Sequence, residues 1–449
     1  MKRLKKFVCL LIAAATLSSA VVANACTTIA AGKDATVDGS TMIAHSVDGW
    51  YDERIEVVKG GKHAAGEMVE IYRDPCQDGY QPVEKVGEIP QVEETYTYFD
   101  TGYPFMNEKG VTLGEHTWSG DYSSFYNGEK ALFVIPNLMA LGLQRAATAK
   151  ECVQVMGELA EKYGYADGGE TVLVGDANEV WVFEIHGPGP LWTPESGAPG
   201  AHWAARRLPD DEIHAGANRS ILREIDFNDP ENYMWSTDIT KYPEQLGFWK
   251  EGEPFNFSLI FDTCEGDMSY SCSGRVWRVY DLLASKANNP PMPNGEQAAT
   301  EQPFSVKPDK KVSIQDLMAV YYDHYEGTPF DMSVGLAAGP FGNRYRVKKG
   351  VKPDNAEKWG WERSISIYRC SYAFVSQMRP NMPGEIGTVL WYGADDPCTT
   401  VHVPIYAGTT EVPEEWANSN RWAFDPNCAW WAFNFVNNWA TTGWNVIYP

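Results

Sequence analysis

The stretch Ala23-Asn24-Ala25-Cys26-Thr27-Thr28-Ile29 divides this chain of 449 residues into two unequal parts. Before it lie Lys2, Arg3, Lys5 and Lys6, an apolar run from Phe7 to Leu17, and then small residues. That order is the order of an export signal, and Ala23-x-Ala25 satisfies the small-residue rule for its removal. The apolar run is too short for a bilayer span, which needs about 20 residues. The expectation is a signal peptide over 1–25 and one catalytic domain over 26–449. A cut after Ala25 would expose Cys26 with a thiol and a free α-amine on one residue, which is a nucleophile beside its own base. The α-amine ordinarily titrates at about 7.7–8.0 and a thiol at about 8.5. The neutral amine can therefore take the thiol proton, and the thiolate attacks. The competing reading of Cys26 as a lipidated anchor asks for Leu or a similar residue three places earlier and small residues between. Ala23 and Asn24 fit that pattern poorly.

Composition narrows the class. The formal net charge is −23, and it becomes more negative once the four basic residues of the signal leave. No basic patch of the nucleic-acid-binding type is present. No later segment is apolar enough to span a membrane, no repeat of 20–50 residues recurs, and the Pro/Asn-rich stretch from Lys286 to Pro303 reads as a surface loop. Of nine cysteines, Cys9 falls in the signal; Cys26, Cys76, Cys152, Cys264, Cys272, Cys370, Cys398 and Cys428 remain. Cys264 and Cys272 are spaced for a loop-closing bridge, and Cys152 sits on an apolar helix face as a core residue. Neither CxxC nor HExxH occurs, so no metal and no cofactor are expected.

Strands are expected at Thr27 to Ala31, Ser40 to Ser46, Arg54 to Val58, Thr95 to Phe99 and Val111 to Thr117, with turn signals at Gly32-Lys33-Asp34 and Asp38-Gly39. Ala131 to Tyr163 reads as two helices, the second opened by a capping box at Thr148-x-x-Glu151 and stopped by Gly164. A hairpin is expected across Asp176-Ala177-Asn178, and a further strand at His202 to Arg206. Ser313-x-x-Asp316 opens a helix running to Tyr325. Strand character returns at Arg363 to Tyr368, Thr388 to Tyr392 and Thr400 to Tyr406. Ala429 to Trp439 reads as a helix that packs Trp431, Phe435 and Trp439 against a sheet. Clustered strands with helical pairs between them imply antiparallel sheets covered by helices.

Several segments resemble the cysteine dipeptidases of the N-terminal nucleophile hydrolases (the dipeptidase A family, relatives of the secernins), with penicillin V acylases and bile salt hydrolases as distant kin. The likeness is carried by Cys26-Thr27-Thr28-Ile29, by Asp38-Gly39-Ser40-Thr41-Met42-Ile43-Ala44 and by Asp48. It continues in Met106-Asn107-Glu108-Lys109-Gly110-Val111 and Gly114-Glu115-His116-Thr117. It returns in the run from His202 to Asp211, in Ala217-Asn218-Arg219, in the run from Gly335 to Gly342, and in Arg363-Ser364-Ile365-Ser366. The resemblance implies an α+β fold, a four-layer αββα sandwich. It also implies Cys26 as nucleophile with its amine as base, Asp48 orienting that amine, Asn107 and Asn218 as oxyanion donors, and Arg363 near the thiolate. One position departs from the family pattern: where an arginine is common, three residues before Asp48, this chain has His45, which titrates near neutral pH as arginine does not.

The expected function is hydrolysis of dipeptides by an exported enzyme. Alternatives are an N-acyl amide hydrolase and a lipid-anchored binding protein without turnover. His45 and Glu115 are candidate substrate-binding residues; Glu115 or Asp52 would meet a substrate ammonium and Arg54 a carboxylate. His116 and His202 read as structural. The expected partner is a small peptide, with no nucleic acid and no membrane anchor; homo-oligomerisation is left open.

Overall fold

The computed structural model describes residues 26–73, 84–118, 120–262, 267–287, 302–345, 363–419, 421 and 423–448. The expected signal, Cys76, Cys264 and most of the Lys286 to Pro303 loop lie outside them. Two antiparallel sheets carry the architecture. The first has six strands in the order β14 (Ile213–Gly216), β1 (Thr27–Ala31), β2 (Thr41–Asp48), β16 (Cys370–Met378), β17 (Thr388–Ala394) and β18 (Val403–Tyr406). The second has eight: β15 (Tyr233–Trp235), β13 (His202–Arg207), β12 (Val180–His186), β11 (Gly169–Gly175), β10 (Thr112–Trp118), β9 (Met106–Asn107), β8 (Tyr98–Asp100) and β3 (Glu56–Val58). Two small ribbons, β4 (Gly61–Lys62) with β7 (Glu94–Thr95) and β5 (Met68–Tyr72) with β6 (Lys85–Pro90), decorate one end.

β1 and β2 are buried along their whole length, so alternation sorts residues between two cores rather than between core and water. Ile29, Ala31, Met42 and Ala44 pack against Val276, Val279, Leu283, Leu317 and Val320 of the helices Asp267–Leu283 and Ile314–Tyr321. Cys26, Ala30, Ile43 and Val47 belong instead to the core between the sheets. There Phe105 meets Phe374, ring centroids 5.9 Å apart. The outer face of the second sheet is covered by the helices Ile135–Arg145 and Ala149–Tyr163, the latter burying Cys152, Val153, Met156 and Ala160. Burying a side chain of this size contributes about 1.5–3 kcal/mol. The layers are therefore helix, sheet, sheet, helix, as the resemblance implies.

Local chemistry explains most element ends. The turn between β1 and β2 closes on Asp38, whose Oδ1 accepts from the Ser40 N–H (3.2 Å) and hydroxyl (2.6 Å), beside Gly39 at φ 77°. The β11–β12 turn closes on Asp176 Oδ1, which accepts from Asn178 N–H at 2.7 Å. Ser313 and Asp316 form the reciprocal capping box. The pair at Thr148 and Glu151 is only half of one. Thr148 Oγ1 accepts from Glu151 N–H, but the Glu151 carboxylate takes the N–H of Ala147.

Three expectations are corrected. The helix opened by Ser313 stops at Tyr321, and Tyr325 has φ 64°. The segment from Arg363 to Tyr368 is irregular; Tyr325 Oη donates to the Arg363 carbonyl (3.0 Å) and Ser364 Oγ to the Ser366 carbonyl (2.5 Å), bonds that replace a ladder. In the helix Ala429–Ala440 the buried face is Trp430, Asn434, Asn437 and Ala440, while Phe435 and Trp439 are 58% and 61% exposed. Asn434 and Asn437 each donate at 3.1 Å to the buried carboxylate of Asp395. That polar anchorage sets the rotation of the helix.

Candidate active site

Cys26 immediately precedes β1. The register Thr27↔Ser46 and Thr28↔His45 carries it alongside the end of β2 that bears His45 and Asp48. These two residues are three apart, an odd number, so their side chains leave opposite faces of the sheet. Their surroundings differ accordingly.

On the helix side, Arg363 Nη2 pairs with Asp48 Oδ2 at 2.5 Å, both buried. Burial raises the Asp48 pKa, and the guanidinium of Arg363, then that of Arg275, oppose the rise. Arg275, buried in the helix Asp267–Leu283, spreads its fork over the nucleophile. Nη1 donates to the Cys26 carbonyl (2.8 Å) and to Thr27 Oγ1 (3.0 Å), and Nη2 to Asn218 Oδ1 (2.6 Å). Burial, then Arg363, brings Arg275 down to about 10. Tyr321 Oη donates to the Thr27 carbonyl at 2.9 Å. Asn218 stands at φ 54°, a left-handed conformation that Asn tolerates better than most residues. Its Nδ2 donates to the Thr117 carbonyl at 2.6 Å.

Between the sheets, His45 Nε2 lies 3.3 Å from Glu115 Oε1. β10 can pass this close because residue 114 is glycine; a Cβ there would sit 3.2 Å from His45 Cβ. The imidazole is ringed by Phe374, Tyr103 and Tyr372, centroids at 5.4, 6.3 and 6.3 Å. A ligand atom of Cys26, of His45 and of Glu115 lie within 4.8 Å of one another. The thiol is pushed well above its usual range by burial, then by the charges of Glu115 and Asp48, while the Asp48 backbone N–H opposes the rise. Burial, then the charge of Glu115, pushes the Glu170 carboxyl on β11 well above its usual range.

The structure thus gathers Cys26, His45, Asp48, Glu115, Asn218 and Arg363 at one point. It separates the others. Asn107 does not suit an oxyanion: both hydrogens of its amide are donated at 2.8 Å, to the carbonyls of Leu143 and Ala146. Its Oδ1 closes the turn to Val111, so the residue ties a helix end to a hairpin. Asp52 and Arg54 bond to each other, Nε to Oδ1 at 2.8 Å. His45 is partnered by Glu115 rather than turned toward a substrate carboxylate, and Arg363 meets the carboxylate of Asp48. His116 is structural, bridging Thr28 Oγ1 (2.8 Å) and the Arg219 carbonyl (3.3 Å) and lowered to about 3 by burial. Buried His202 stacks on Tyr242 at 5.4 Å.

Arg275 escaped the sequence reading. Its signal was present: a lone arginine within the stripe Cys272, Val276, Val279, Tyr280 and Leu283 of an otherwise apolar helix face, where a cation must have buried partners.

The chain matches peptidase family C69 over residues 25–448. It belongs to that family and is a peptidase. It is similar to a probable dipeptidase of Latilactobacillus sakei, 29% identical over 411 residues, which are 87% of this chain and 76% of that protein. It is similar also to dipeptidase A of Lactobacillus helveticus, 26% identical over 441 residues, 94% of this chain and 83% of the relative. Among solved structures, penicillin V acylase from Agrobacterium tumefaciens aligns with 85% of this chain and 86% of its own, at 12% identity and a TM-score of 0.32.

Proposed function

We propose that the protein is an exported dipeptidase, released by a cut after Ala25, that forms a thioester on Cys26. The α-amine takes the thiol proton, the thiolate attacks the peptide carbonyl, and the amine returns the proton to the departing amino group. Water then releases the acyl group from sulfur. The observation that carries this reading is the state of Asp48 beside Cys26. One carboxylate oxygen is committed to Arg363, while Oδ1, buried, accepts no N–H or O–H hydrogen bond among the described residues. An α-amine at Cys26 would supply such a donor. Asn218 is assigned to the oxyanion, supported by the grip of Arg275 on its amide oxygen, which fixes the direction of the amide nitrogen.

The buried carboxylate beside the thiol, Glu115, favours a substrate that brings an ammonium over one that brings an apolar acyl chain. That supports a dipeptide over an N-acyl amide. A binding protein without turnover is set aside by the peptidase family. The test is a panel of dipeptides and N-acyl amides given to the protein purified from an exporting host, with Cys26→Ala as control and the mass of the N terminus measured. Turnover of N-acyl amides alone, or an N terminus that still precedes Cys26 in fully active protein, would remove the proposal.

A further inference from the structure

We propose that Cys26, His45 and Glu115 form a binding site for a zinc-class divalent cation, and that its occupation reversibly blocks the thiol. The site is independent of which substrate the peptidase prefers. Three observations carry it. Sulfur, imidazole nitrogen and carboxylate oxygen are drawn from the residue before β1 and from strands β2 and β10 to within 4.8 Å of one another, all buried. His45 Nε2 and both carboxylate oxygens of Glu115 are buried and have no hydrogen-bond partner among the described residues. The third observation is metric. Zinc bonds of about 2.0–2.2 Å to nitrogen and oxygen, at a tetrahedral angle, put those two atoms about 3.3–3.5 Å apart. His45 Nε2 and Glu115 Oε1 are 3.3 Å apart.

The ligand set selects the cation. A thiolate with an imidazole and one carboxylate suits zinc and its neighbours and is a poor match for the oxygen-seeking magnesium or calcium. Thiolate and carboxylate together balance a divalent charge, so the buried complex is neutral. Binding replaces the S–H bond by an S–metal bond and sends the proton to solvent. His45 contributes the Nε2 lone pair and keeps its proton on Nδ1. The fourth position falls to water or, in a chain cut before Cys26, to the α-amine. The sulfur lone pair that would attack a carbonyl is then held by the metal. Motif reading missed the site because its ligands are spaced across strands β2 and β10 and the residue before β1, with no CxxC or HExxH among them.

The test uses protein purified from expression of the full sequence, reduced and stripped with a chelator, then titrated with cobalt chloride and, separately, zinc chloride. The expected result is one equivalent of cobalt bound with a thiolate-to-cobalt charge-transfer band, and loss of peptidase activity on zinc addition that a chelator reverses. The band should vanish in Cys26→Ser, and affinity should fall at least about tenfold in His45→Gln and in Glu115→Gln, as coordination changes of this size do. If one of those variants fails to fold, the other decides. A further readout needs no variant: zinc should protect Cys26 of the wild-type protein from alkylation, read by peptide mass. Absence of the band, its persistence in Cys26→Ser, unchanged affinity in the folded His45 and Glu115 variants, or unprotected Cys26 would each overturn the site. Protein that binds cobalt in this way yet hydrolyses no dipeptide would remove the proposed substrate and leave the metal site standing; an active dipeptidase without the band would do the reverse.

Discussion

The two flanks of Cys26 solve opposite electrostatic problems. On the helix side, the charged groups around the nucleophile are two guanidinium cations and one carboxylate. Arg275, Arg363 and Tyr321 converge on the Cys26 and Thr27 carbonyls, on Asn218 and on Asp48. Between the sheets, Glu115 lies against the thiol and the His45 imidazole, with Glu170 beside Glu115. The first flank is rich in cations and leaves Asp48 Oδ1 open for one more donor; the second is short of positive charge. The difference teaches which flank positions the nucleophile and which one waits for a cationic group. Unpaired buried carboxylates are costly unless they protonate or meet a cation.

The comparison can be tested from the centre outward. Cys26→Ala removes what both flanks serve, so dipeptide hydrolysis should fall by about four orders of magnitude or more, given what loss of a nucleophile does elsewhere. Circular dichroism should remain unchanged; activity near wild type would end the argument. Asn218→Ala probes the helix-side flank. Loss of an oxyanion donor should lower kcat by about 10²–10³ with KM nearly constant, and a change confined to KM would move Asn218 to substrate binding. Glu115→Gln probes the other flank. If the carboxylate meets a substrate ammonium, KM for dipeptides should rise about tenfold to a hundredfold, or 1.4–2.8 kcal/mol. An unaltered KM would mean that Glu115 serves only His45.

The smallest effect concerns pH. Arg363 holds down an Asp48 pKa that burial raises. In Arg363→Gln that pKa should climb further, and the acid limb of the activity profile should move to higher pH. Stability carries the same sign. A carboxyl whose folded pKa exceeds its unfolded value binds more protons when folded. Its contribution is complete below the unfolded value, about 3.9, and is lost as pH rises through the folded value. Denaturation midpoints of Arg363→Gln should therefore fall more steeply with rising pH above that point than those of the wild type. Parallel curves would show that Asp48 does not feel Arg363.

What the sequence disclosed follows the range of the interactions involved. The β1–β2 hairpin was legible because Asp38 and Gly39 write the turn locally, and Thr148, Ser313 and Gly164 mark helix ends by contacts within a few residues. The layer order needed the family resemblance, since strands buried on both faces show no alternation. Cys26, Asp48, Asn218 and Arg363 were found by their motifs, and the structure brings them together. Arg275 was not, because its partners, the Cys26 carbonyl and the Thr27 hydroxyl, lie 249 and 248 positions away. Asn107 sits in a matched motif but spends its amide on a helix end. Aromatic spacing points the C-terminal helix the wrong way, because its rotation is set by Asn434 and Asn437, whose partner Asp395 belongs to another element.

The clamp of Arg275 on the Cys26 carbonyl has a consequence for how such a site is switched on. Every described hydrogen bond at the Cys26 main chain runs through its carbonyl, downstream of the peptide bond before it. Nothing in that grip depends on what precedes the residue. Severing the preceding bond would change the acid–base chemistry of one nitrogen without releasing the clamp. Geometry and activation are thereby separable: the nucleophile can be placed during folding, and a single later cleavage can act as a chemical trigger instead of a structural rearrangement.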